Sequence, residues 1–322
     1  MSGGDVKLFD YKSREAWLAA RTQSIGASES AALFGLAPDN RESEYSLWAK
    51  KSGLVEPENI DEEWLFWGAV LEAPIAQRYA FRTGYQVWTP PSPWCVVTHP
   101  KLPFLTATVD RWVIEALGRN GRGCCEIKNV GVFNHDWKGD EREMVLPLYV
   151  QSQVQHQLAC TGFLWADVPA LIGGNHLEIF HVERNPEFIS ELKSRAEEFW
   201  RRVQTKDPPP IDGTGATTKA LKRMHPDDDG STVELCPEAL DWVGIRETFK
   251  QVCKDAEAKV EESENRLRAA LGKAAFGTLP DGRIVSNKTT ERKGFVVEPT
   301  KFRTLRVAKP AATPPKKGRR TP

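Results

Sequence analysis

The sequence predicts an α/β fold, with a mixed central sheet flanked by helices and a long helix and β-hairpin following it. Three observations carry this. Helical segments are expected at 61–83, 147–161 and 186–203, from three–four apolar spacing, a Gln-rich run and an amphipathic run opened by Pro186. β-Type runs punctuated by Pro and Gly fill 86–130 and 165–184 between them. After Asp207-Pro208-Pro209-Pro210 the pattern changes to a single long helical seam.

Taken in order, 13–36 reads as a helix, a Ser/Gly turn and a second short helix that Ser28 or Ser30 could cap and Gly35 ends. Over 61–83, Trp64, Trp67, Leu71, Ile75 and Tyr79 share one face, and Gly84 stops the helix. Strands are expected at Gln86 to Thr89, Trp94 to Thr98, Leu105 to Glu115 and Cys124 to Val130. Ala170-Leu171-Ile172 and Leu177 to Phe180 form two more, joined at Gly173-Gly174-Asn175. Pro237 suits a first helical turn, and Phe249, Val252, Ala256 and Val260 continue a thin seam toward Gly272 that needs a packing partner. Pro280-Asp281-Gly282 joins two strands. The expected organisation is a core domain over 1–205, a linker at 206–230, a helix–hairpin extension at 231–305 and a basic, disordered tail at 306–322.

Composition limits the function classes. Forty per cent of the residues are hydrophobic and 27% charged, which suits a soluble globular chain and excludes collagen-like or disulfide-scaffold classes. No apolar run spans a bilayer, and Met1 to Trp17 lacks the apolar stretch of a secretory signal, so a cytoplasmic location is expected. Six cysteines without a C-x-x-C pair suit a reducing compartment and argue against zinc or an iron–sulfur cluster. No GxxxxGK[ST] loop is present, so ATP is not expected. Net charge is zero, yet residues after 300 carry eight Lys/Arg and no acid, leaving 1–300 at −8. Local fields and bound cations, rather than that total, decide whether a polyanion binds.

The informative chemistry lies in Leu105-Thr-Ala-Thr-Val-Asp110-Arg-Trp and, sixteen residues after the aspartate, Glu126-Ile127-Lys128. As neighbouring strands these would place Glu126 and Lys128 on one face and Ile127 on the other. Two carboxylates side by side favour a hard divalent cation between them. Lys128 could orient a water or offset charge on a phosphate. Glu72, four residues after Gly68 on the 61–83 helix, can approach the sheet, and Tyr149, Gln153 and Gln157 share a face of a later helix.

In this order and spacing, Arg21-Thr-Gln-Ser-Ile-Gly-Ala-Ser28-Glu29, Trp67-Gly-Ala-Val-Leu-Glu72, Asp110…Glu126-Ile-Lys128 and Tyr149…Gln153-Val-Gln155 resemble the YqaJ-type viral recombinase exonucleases. These are relatives of the phage lambda exonuclease within the PD-(D/E)xK nuclease superfamily. The resemblance covers roughly residues 13–205 and implies a restriction-endonuclease-like core. It also implies two Mg²⁺ ions, with Mn²⁺ as a substitute, and 5′→3′ digestion of one strand of duplex DNA from its ends. A ring of subunits and a single-strand annealing protein that receives the 3′ overhang are implied as partners, in a bacterial host cytoplasm if phage-encoded.

Carried over, Asp110, Glu126 and the Ile127 carbonyl would ligate metal, and Glu72 would serve the second ion. Lys128 would act on the nucleophilic water, and Gln153 on the water or the site geometry. Arg21, Ser28 and Thr108 would hold the terminal 5′-phosphate. The chain departs from the family at Val109, usually proline, and at Arg111, usually glycine. Its tyrosine is four residues before Gln153 rather than three, so the active-site glutamine is open among Gln153, Gln155 and Gln157. Trp112 and Trp137 are candidates for stacking on a base, against the simpler reading of core. A restriction-type endonuclease and a catalytically silent DNA-binding assembly protein are the rival readings.

Overall fold

The computed structural model describes residues 6–38, 41–56, 63–137, 144–291 and 303–307. The chain divides into two compact units, residues 1–225 and 226–322. The first opens with β1 (Leu8–Asp10), α1 (Arg14–Thr22), β2 (Ile25–Gly26) and a 3-10 segment (Ala27–Phe34). Next come α2 (Glu44–Lys51), α3 (Glu63–Thr83), β3 (Gln86–Trp88), β4 (Cys95–Thr98), β5 (Leu105–Ala107) and β6 (Arg111–Glu115). β7 (Gly123–Cys125), β8 (Lys128–Val130), α4 (Leu148–Thr161), β9 (Trp165–Ile172), β10 (His176–Glu183), α5 (Pro186–Thr205) and α6 (Gly215–Met224) complete it.

Its main sheet has the order β10-β9-β7-β6-β3, with β8 also pairing with β9; β7 and β8 run parallel to β9 and the other neighbours are antiparallel. A smaller sheet has the order β1-β4-β5-β2. β9 is the buried centre, and its alternation serves two apolar layers. Ala166, Val168 and Ala170 join Cys124, Trp112 and the α4 and α5 residues Val154, Leu158, Leu192 and Phe199. Trp165 joins Cys125, Val113, Ile127 and the α3 residues Ile75 and Tyr79 on the opposite face. The adjacent cysteines thus point into different layers as free, buried thiols.

β7 and β8 are one strand interrupted at Glu126-Ile127. The register pairs Cys125 with Asp167 and Lys128 with Ala170, so Ile127 lies opposite Pro169. Pro169 has no N–H, and a parallel ladder would use that N–H to reach the Glu126 carbonyl. The interruption falls where that donor is missing.

Several expectations change. The stretch 105–115 is two strands, β5 in the small sheet and β6 in the main one, separated by Thr108-Val109-Asp110. Gly26, rather than Ser28 or Ser30, holds the cap position of the 3-10 segment, and its N–H donates to the Glu29 carboxylate at 2.8 Å. Only the later half of α3 lies on the sheet; Ile75 and Tyr79 are buried, whereas Trp64 and Trp67 are exposed. Part of the expected 206–230 linker is α6, whose Ala216, Thr217 and Ala220 are buried and whose Thr217 hydroxyl bonds Ser43 at 2.7 Å. Leu221 and Met224 of the same helix pack against the core beside them.

The second unit contains α7 (Ala239–Leu271) and the hairpin β11 (Phe276–Thr278) and β12 (Ile284–Ser286). The seam residues Phe249, Val252 and Val260 are exposed. The proposed basic tail lies outside the described residues apart from its first two positions. Among the described residues no helix is long and apolar enough to cross a membrane.

Candidate active site

Strand alternation and the β6–β7 pairing assemble the centre. β6 pairs Arg111 with Cys125, so Asp110 sits beside the interruption in β7–β8. Its Oδ2 accepts the Ile127 N–H at 2.8 Å. Glu126 and Lys128 flank Ile127 and face α4, while the Ile127 side chain is buried on the α3 side. Lys128 Nζ donates to Glu126 Oε1 at 2.6 Å and to Gln153 Oε1 at 3.1 Å. Gln153 Nε2 donates back to Glu126 Oε1 at 2.5 Å. Gln157, one helical turn on, donates to Glu126 Oε2 at 2.5 Å and to the Thr108 carbonyl at 3.1 Å. Gln153 and Gln157 therefore both belong to the centre. Gln155 points elsewhere, bonding the backbone of Glu183 and Asn185.

Burial and the neighbouring Glu126 and Glu72 carboxylates hold the Asp110 carboxyl well above its ordinary range. Burial disfavours the Lys128 ammonium, but Glu126 and Asp110 more than offset this and keep its pKa above the usual value. The cluster carries more carboxylate than its lysine neutralises. Its carboxylate donors are hard oxygens, and a divalent cation fits the Asp110–Glu126 pair. Among the described residues no three His, Cys, Asp or Glu side chains converge as a ready metal cluster. Glu72 has a partner of its own. Its carboxylate is paired with the guanidinium of buried Arg111, which also donates to the Asp110 carbonyl.

A second group meets the first across a cavity of about 130 Å³. Arg21, Ser28 and Thr108 line it together with Asp110, Glu126 and Gln153, and so does Trp17. The Arg21 guanidinium lies over the Trp17 ring, 5.0 Å from its centroid. It donates to Ser28 Oγ at 3.4 Å and to Glu29 Oε1 at 3.3 Å. Glu29 also pairs with Lys51 at 2.8 Å, and Lys51 bonds the Arg21 carbonyl at 2.7 Å. Burial works against the charge on Glu29, but Lys51 and Arg21 outweigh it and keep the carboxyl below its ordinary range. A Cβ at Gly26 would come within 3.3 Å of the guanidinium, so glycine leaves the arginine room.

Residues 16–164 match the family model described as the YqaJ-like viral recombinase domain. The matched segment is just under half of the chain. The chain is 25% identical over 291 residues to the uncharacterized protein YqaJ of Bacillus subtilis (strain 168), covering 87% of each. It aligns with the crystal structure of an alkaline exonuclease (LHK-Exo) from Laribacter hongkongensis at 21% identity and a TM-score of 0.46, covering 60% of this chain and 93% of that one. LHK-Exo in complex with dAMP aligns at 22% identity and 0.45, covering 65% and 96%.

Within the matched segment, Trp112 and Trp137 are buried and unavailable to a base, because both rings fill the core. Trp17 and Lys51 are the site neighbours that sequence reasoning missed, and Glu29 stands in the first motif without an assigned role. Trp17 had a signal, since it lies four residues before Arg21 on α1. Lys51 lies 22 residues beyond Glu29 on another helix, and no local pattern marks it.

Proposed function

We propose that this chain is a divalent-metal-dependent exonuclease acting on ends of linear double-stranded DNA. It removes one strand 5′→3′ and leaves a 3′ overhang for a single-strand annealing partner. The observation that carries this is the shared cavity, in which a guanidinium and two hydroxyl-bearing side chains face two carboxylates and a glutamine. Arg21, Ser28 and Thr108 form a phosphate-binding set, and Asp110, Glu126, Lys128 and Gln153 form a hydrolytic one. The viral recombinase family of the matched domain supports a nucleic-acid substrate.

Arg21 binds the terminal 5′-phosphate with charged hydrogen bonds, held in place by Glu29 and the Trp17 ring. This fixes the register between the DNA end and the carboxylates. Asp110, Glu126 and the Ile127 carbonyl hold the cation, Mg²⁺ with Mn²⁺ as substitute. When bound, it supplies Lewis-acid polarisation of a phosphate and activation of water. Lys128 places positive charge where negative charge develops, and Gln153 fixes the Lys128 and Glu126 side chains through one amide. The proposed ring of subunits would account for staying on one duplex.

The test is digestion of 5′-phosphorylated linear duplex, 5′-hydroxyl linear duplex and closed circular duplex in Mg²⁺. Rapid loss of the first, slower loss of the second and an intact circle are expected. A cut circle would favour the restriction-type endonuclease, and three intact substrates the silent DNA-binding protein.

A further inference from the structure

Position 111 puts a permanent cation beside the acidic centre. Asp110 and Arg111 are consecutive, so strand alternation sends the carboxylate toward α4 and the guanidinium toward α3. There Arg111 Nη1 donates both to Glu72 Oε1 and to the Asp110 carbonyl. The Arg111 side chain is only 10% exposed, while that of Glu72 is 33% exposed. A guanidinium is planar and delocalised, which suits it to a carboxylate partner at a nearly buried site.

We propose that Arg111 closes Glu72 to metal, so that the centre takes a single divalent ion and the guanidinium serves as its second positive charge. The inference rests on the metal-dependent reading above. Two arguments support it. First, drawing Glu72 to an ion would strip a nearly buried guanidinium of its only carboxylate partner among the described residues, an unfavourable exchange. Second, with all three carboxyls ionised, as metal ligation requires, Asp110, Glu126 and Glu72 are opposed by Lys128 and Arg111, which leaves one net negative charge. One divalent ion reverses that charge, and a second would add to an already positive cluster. A neutral residue at 111 would remove both obstacles. Arg111 is thus a positioning and charge-setting residue that decides how many ions Glu72, Asp110 and Glu126 accept.

The experiment is Mn²⁺ titration of the full chain by calorimetry, with electron paramagnetic resonance of the bound ions. Wild type should bind one ion per chain and give an isolated-ion spectrum. Glu72→Gln should leave that count unchanged. Arg111→Gln should gain a second ion with a spin-coupled spectrum, and Arg111→Gln combined with Glu72→Gln should lose it again. Two ions in wild type falling to one in Glu72→Gln overturns this inference alone. So does an Arg111→Gln protein that is folded by circular dichroism and still binds one ion. If Arg111→Gln fails to fold, wild type against Glu72→Gln still decides. Asp110→Ala tests the underlying reading: an ion that survives it overturns the metal assignment and this inference with it.

Discussion

Replacing Arg21 with alanine separates end recognition from chemistry. The side chain is one third exposed, and its ion pair with Glu29 spans 3.3 Å, so its loss costs the fold about 1 kcal/mol or less. Glu29 is not orphaned, because Lys51 remains at 2.8 Å and the Gly26 N–H at 2.8 Å. The loss should therefore appear in the reaction. A hydrogen bond to a charged group contributes about 1.5–3 kcal/mol, which corresponds to roughly one to two decades in rate if the contact persists in the transition state. Single-turnover digestion of 5′-phosphorylated duplex should slow by that factor in Arg21→Ala. The 5′-hydroxyl duplex, which offers no terminal phosphate, should be digested at nearly the wild-type rate. Equal slowing on both, with an unchanged melting temperature, would refute the assignment of Arg21 to the phosphate.

Other perturbations test the fold around the centre. Asp167 is fully buried and holds Tyr79 at 2.5 Å, Arg119 at 2.7 Å and His181 at 2.7 Å; Asp167→Ala should cost about 3–5 kcal/mol in urea unfolding, and a loss below about 1 kcal/mol would show that Arg119 finds another partner. A Cβ at Gly123 would meet the Trp165 ring at 2.4 Å, so Gly123→Ala should destabilise by about 1–3 kcal/mol, read from the same unfolding curves. Asp110 has a raised pKa in the folded, metal-free state, so its contribution to stability is fully present below its unfolded pKa and falls as pH rises through the folded one. Asp110→Asn should accordingly raise the melting temperature of metal-free protein at about pH 8, and the gain should vanish toward about pH 4. A gain that persists undiminished in acid would remove the electrostatic cause.

The centre was legible where its logic is local. Strand period two alone places Glu126 and Lys128 together and Ile127 opposite, and helix spacing alone aligns Gln153 with Gln157. The choice among the glutamines was not legible, because Gln155 is excluded only by the Glu183 and Asn185 backbone that captures it. The split of 105–115 escaped notice since a run of β-type residues does not say where a strand changes sheets. Trp64 and Trp67 misled for a related reason: three–four spacing identifies a face of α3 without revealing how far the sheet beneath it extends. The Lys51–Glu29 pair depends on the tertiary approach of α2. The Glu72–Arg111 pairing likewise needed the docking of α3 against β6, although each residue stood out alone.

The interrupted strand has a consequence for how errors in folding are sorted. A slip of β7–β8 by one residue against β9 would exchange every side chain between the two layers. Glu126 and Lys128 would enter the apolar layer of Ile75, Tyr79 and Trp165, and Ile127 would intrude among the glutamines of α4. An ion pair without its amide partners is a poor guest there, so the misregistered chain would be penalised twice, by a buried charge and by a misplaced isoleucine. The residues proposed for catalysis thereby also proofread the alignment of the sheet, and a substitution chosen to silence the site, such as Glu126→Leu, would weaken that proofreading along with the chemistry.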